Sequence, residues 1–118
     1  MTVTGSLELV ALDATDIAGL ASFYAGLTGW RTVRKVEGWI TLRAGDGQEV
    51  AFQQVAEHIP PQWPGQERPQ QIHLDLLVDG HEEAAQRAVA LGATRLADGA
   101  TWITLADPAA HPFCLSIP

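Results

Sequence analysis

The chain has 118 residues, a hydrophobic share of 47% and a formal net charge of −7 from seven basic and 14 acidic side chains. That is one domain able to bury a core of its own, too apolar to be disordered and without the run of ~20 apolar residues that a spanning helix needs. No basic stripe exists to displace counterions from phosphates or to dock on an anionic bilayer, so neither nucleic acid nor a membrane is an expected partner.

Taken in chain order, Leu7 to Asp13 reads as an apolar strand. Asp16 is placed to cap a helix reaching about Thr28, with Ile17, Leu20, Phe23, Tyr24 and Leu27 at helical spacing and Gly29 as its stop. Phe23 and Tyr24 are expected in the core. Three short strands are predicted near Thr32–Val36, Trp39–Arg43 and Glu49–Val55. Residues 57–69 hold Pro60, Pro61, Pro64 and Pro69 and read as a loop or semi-rigid linker. A strand at Gln71–Val78 and a helix at about His81–Leu91, ended by Gly92, come next. Short strands near Thr94–Leu96, Trp102–Ala106 and Phe113–Ile117 complete the chain.

An internal repeat orders these elements. Trp39-Ile40-Thr41-Leu42 recurs as Trp102-Ile103-Thr104-Leu105, 63 residues on. Leu27-Thr28-Gly29-Trp30 aligns with Ala90-Leu91-Gly92-Ala93 at the same offset. A match with aligned flanks indicates a duplicated module. Module one is residues 6–56 and module two residues 70–118, each β-α-β-β-β, within a single domain. The predicted fold is α+β, with two tandem modules building a curved, partly closed eight-stranded mixed sheet and the helices outside.

Alternation sorts the strand faces. In Gln71 to Val78 the even positions, Ile72 among them, are apolar and are expected to pack on the helices. His73 and Asp75 then face the other way. The repeat extends this to Trp39, Thr41, Glu49, Ala51 and Gln53, and to Trp102, Thr104 and Cys114. A face with two Trp, two Thr, a His, an Asp and a Cys suits a small-molecule cleft, whose walls are rigid and whose polar groups are few and aimed. The same tryptophans are also compatible with a module or dimer interface.

With these segments in place the sequence resembles the vicinal oxygen chelate superfamily, which includes glyoxalase I, bleomycin-resistance proteins and extradiol dioxygenases. The closest likeness is to small bacterial glyoxalase-like domains. It is carried by Ala14-Thr15-Asp16 through Gly29-Trp30, by Gln71-Ile72-His73-Leu74-Asp75 through Gly92-Ala93, and by Asp107-Pro108-Ala109-Ala110-His111-Pro112-Phe113-Cys114. The resemblance implies a homodimer. It also implies a divalent metal on the polar sheet face in catalytic members, with ligands from the first and last strands of each module. Those positions fall here on Leu9, Ala51, His73 and Cys114, of which only the last two can coordinate. Glu49, Gln53 and Asp75 are the candidates to rebuild the set, each displaced by two residues. With the ligand set incomplete, no metal and no other cofactor is expected.

Three readings follow. The first is a metal-free binding protein of the glyoxalase/bleomycin-resistance type. Its apolar or aromatic ligand is gripped by Trp39 and Trp102, with Thr41, Gln53, Thr104 and Cys114 lining the cleft and Trp63, in the linker, as a lid or an anchor. The second is a lyase or isomerase in which His73 is the general base, oriented by Asp75. The third is a structural dimer module. Cys114, mid-strand, reads as a small buried thiol rather than a nucleophile. Asp107 and His111 read as fixing the last turn, and His58 and His81 as solvent-exposed. The lone cysteine leaves no intramolecular disulfide. Residues 1–6 show no export signal, so a cytoplasmic location is expected.

Overall fold

The computed structural model describes residues 2–118. Module one comprises β1 (Val10–Ala14), α1 (Ile17–Thr28), β2 (Arg31–Val36), β3 (Trp39–Arg43) and β4 (Glu49–Gln54). Module two comprises β5 (Leu74–Leu77), α2 (His81–Ala90), β6 (Thr94–Asp98), β7 (Trp102–Ala106) and β8 (Pro112–Ser116). The architecture is the predicted α+β pair of β-α-β-β-β modules. Its eight strands divide into two four-stranded mixed sheets, ordered β1-β4-β3-β2 and β5-β8-β7-β6. In each, the first strand runs parallel to the last and the rest is antiparallel.

The duplication reaches into the backbone irregularities. The β2–β3 ladder shifts register between Thr32 and Arg34, and the β6–β7 ladder between Arg95 and Ala97. These are equivalent positions at the repeat offset, so the bulge was copied with the module.

Local chemistry sets the helix ends. The Asp16 carboxylate accepts a hydrogen bond from the Gly19 amide at 2.9 Å, which satisfies one of the free donors at the start of α1. Gly29 closes α1 at φ 77°, a left-handed position where a Cβ is penalised. α2 starts at Gly80 with no side-chain cap and relies on Glu82 and Glu83 in its first turn.

One core joins the modules. The Tyr24 ring of α1 lies 5.7 Å from Phe52 of β4 and 5.9 Å from Phe113 of β8, and Phe23 lies 5.8 Å from Phe113. Leu20, Leu42, Ile103, Leu105 and Leu115 are fully buried around them.

The first strand of each module is shorter than predicted. β1 begins at Val10 and leaves Leu7 exposed. β5 begins at Leu74, because the residue that would face His73 across the ladder is Pro112, which has no amide hydrogen to donate. Ile72 therefore lies outside the strand and is 63% exposed, instead of packing on the helices.

Candidate functional site

Strand register decides what the helix-free face carries. In module one Val10, Leu12, Val50 and Phe52 point to the helices, so the opposed pair Ala11 and Ala51 points away, with Thr41 beside Ala51. In module two the equivalent pair is Asp75 and Cys114, with Thr104 beside Cys114. The duplicated face is thus divided: module one offers two methyl groups where module two offers a carboxylate and a thiol.

His73 completes the polar half. Its Nε2 is 3.2 Å from Asp75 Oδ1. One ligand atom each of His73, Asp75 and Cys114 lies within 4.8 Å of the others. The Cys114 Sγ also lies 3.2 Å from the Thr104 hydroxyl. Burial pushes the Cys114 thiol above its ordinary value; the Thr104 hydrogen bond opposes this, and the charge and hydrogen bond of Asp75 add to it. The thiol therefore stays protonated at neutral pH, which disfavours a nucleophilic role.

The donor set bears on the metal that the resemblance implies. Nitrogen, oxygen and sulfur from three residues match the number of protein ligands an open divalent site uses, and Cys with His suits an ion of borderline softness. Asp75, displaced in sequence from the implied position, is brought in because β5 pairs it directly with Cys114. Glu49 is not part of this group: it is held by Arg43 at 2.7 Å. Gln53 sits across from Trp39 in module one.

The tryptophans are held differently. The half-buried Trp39 donates its indole N–H to the Thr41 hydroxyl at 2.8 Å, so it lies along β3. Trp102 is 41% exposed. Its ring lies over Gly99 in the preceding turn, so close that a Cβ there would clash with the indole. Trp63 is half-buried in the linker.

Next to the polar cluster the linker crosses the junction of the modules. The His58 Nε2–H donates to the Ala109 carbonyl at 2.9 Å, and the His111 Nε2–H to the Asp13 carbonyl at 2.7 Å. The two rings are 4.8 Å apart. His58 and His81 are both half-buried, not solvent-exposed as expected, His58 because it anchors the linker. Asp107 does fix the last turn, accepting from the Ala109 and His111 amides at 2.9 Å each. It also receives the buried Tyr24 hydroxyl at 2.7 Å, a contact between modules.

Sequence reasoning passed over Ala11, Asp13 and Arg68, which line a cavity of about 520 Å³ together with His58, His73, His111 and Gln71, the last placed beside His73 by strand alternation. Ala11 and Asp13 carried a signal, through their alternation with Val10, Leu12 and Ala14. Trp39, Trp102, Thr104 and Cys114 do not line that cavity.

The profile of the glyoxalase-like domain family matches residues 9–116. No curated protein matches. Among solved structures, a glyoxalase/bleomycin resistance protein/dioxygenase family enzyme from Burkholderia phytofirmans superposes with a TM-score of 0.76 at 17% identity, covering 96% of this chain and 98% of that one. A glyoxalase-related enzyme from Fulvimarina pelagi gives 0.74 at 20% identity, with 98% and 89% covered. The fosfomycin resistance protein FosX from Mesorhizobium loti gives 0.75 at 17%, with 98% and 94% covered. At these identities the structures speak for the fold, while the profile spans nearly the whole chain: this protein belongs to the glyoxalase-like domain family, within the glyoxalase/bleomycin resistance/dioxygenase fold.

Proposed function

We propose that this protein binds a small apolar or aromatic molecule on the helix-free face of its sheets, as a cytoplasmic homodimer. The observation that carries this reading is the divided face. Ala11 is exposed and leaves room for the body of a ligand, with Ala51 buried behind it, and His73, Asp75 and Cys114 supply polar groups to orient it. Trp39 and Trp102 serve as walls, Thr41, Gln53 and Thr104 as polar lining and Trp63 as a cover. The exposed Leu7 and Leu77 supply apolar surface for a second copy.

The test is tryptophan fluorescence titrated with aromatic ligands. Ala11→Leu fills the exposed floor of the cavity and is expected to weaken binding by about tenfold or more, because the added side chain occupies the space of the ligand body. His73→Ala is expected to weaken it only a few-fold. Unchanged binding in Ala11→Leu would place the ligand elsewhere.

The three converging donors favour a second reading, a lyase or isomerase. His73, Asp75 and Cys114 are the residues that would hold a divalent ion, and a bound ion would polarise an oxygen of the substrate. In the metal-free form of this reading, His73 takes a proton from the substrate and Asp75 orients its ring. Elemental analysis of untagged protein separates the readings. About one equivalent of metal, lost in His73→Ala, selects the metalloenzyme. Metal-free protein that still binds ligand without turnover selects the binding protein.

A further inference from the structure

The cavity of about 520 Å³ beneath the linker gathers three of the chain's four histidines, His58, His73 and His111, with Arg68 and Gln71. The only carboxylate on its lining is Asp13. Arg68 is the full positive charge on this lining, in a chain whose net charge is −7, and the imidazoles and Gln71 add hydrogen-bonding groups. Arg43 is committed to Glu49, and Arg95 to Glu82 and Asp98. Arg68, like Arg31, Arg34, Lys35 and Arg87, has no ion-pair partner among the described residues, and of these five it alone lines the cavity.

Hydrogen bonds fix the loop backbone and two of the imidazoles. The Gln62 amide donates to the Arg68 carbonyl at 2.6 Å and closes the loop that presents Arg68. Carbonyl oxygens only accept, so the bonds of His58 and His111 fix a proton on each Nε2 and leave each Nδ1 without that duty. Apolar surface adjoins these groups. Ile59 and Ile72, 69% and 63% exposed, both line the cavity. Large apolar side chains left in solvent beside an unpaired guanidinium form a surface that awaits a molecule with both characters.

We propose that this cavity takes an organic acid, its carboxylate on Arg68 and its apolar body against Ile59 and Ile72. The proposal extends the ligand reading above and rests on it, since His73 and Ala11 belong to both surfaces.

The test compares 4-phenylbutyrate with its neutral primary amide, 4-phenylbutyramide, by fluorescence titration and calorimetry on the full chain. The acid is expected to bind at least about tenfold tighter at low salt. Arg68→Gln, on an exposed loop, is expected to erase that preference and leave the affinity for the amide unchanged. Equal affinities, or a preference that survives Arg68→Gln, would overturn the proposal. If the amide then still binds and Ala11→Leu displaces it, the ligand reading stands alone. If neither compound binds, both fall.

Discussion

Cys114 and Tyr24 show how one environment fixes the chemistry of a single side chain. The thiol is held protonated by burial and by Asp75, so alkylation by iodoacetamide should be slow at neutral pH and have its midpoint above that of a free thiol. Asp75→Asn removes one of the causes and should move the midpoint down. A midpoint that stays put would mean that Asp75 does not act on the thiol. Tyr24 presents the opposite case, a buried hydroxyl satisfied by a buried acid. Burial raises the Asp107 pKa, and the Tyr24 hydrogen bond and the charge of His111 oppose the rise. A carboxyl raised in the folded state contributes stability that is fully present below its unfolded value and lost as pH climbs through the folded one. Tyr24→Phe withdraws an opposing bond, so it should cost about 1–3 kcal/mol at neutral pH and less below about pH 4, where the acid is protonated in both states. Urea denaturation at both pH values checks the sign.

At the scale of elements, the two modules differ in how their helices begin. α1 has Asp16 as a cap; α2 has only Gly80, which sits at φ −132° with open space where a Cβ would go. Gly80→Ser supplies a capping oxygen and removes backbone freedom from the unfolded chain. It should raise stability by about 0.5–1 kcal/mol, read as a higher melting temperature. A drop would mean that the α2 start needs glycine for a reason other than its backbone angles. The helices and most strands were legible in the sequence because Leu20, Phe23, Tyr24 and Leu27, or Ile40 and Leu42, repeat at the local period of their element. The starts of β1 and β5 were not. They depend on what the partner strand can offer, and Pro112 ends the β5 ladder from a distant part of the chain.

At the scale of the molecule, the modules are not independent. Phe113 of module two packs on Phe23 and Tyr24 of module one, and Asp107 holds Tyr24 by its hydroxyl. The full chain should unfold in one cooperative step, and residues 1–56 alone should show no cooperative transition, because they would expose the aromatic face of α1. Two resolved transitions in calorimetry would show instead that each module folds by itself.

The sequence by itself determined the duplication, the α+β class, the helices, the faces of β3, β4, β5, β7 and β8 and the burial of Phe23 and Tyr24. All of these follow from short periods or from a repeat that survives in the order of residues. The tertiary structure alone decided that Asp75 stands beside Cys114, that Trp102 lies over Gly99, and that Arg68, His58 and His111 share a cavity with His73. Strand pairing and linker docking bring together residues far apart in the chain, and no local period encodes which of them meet.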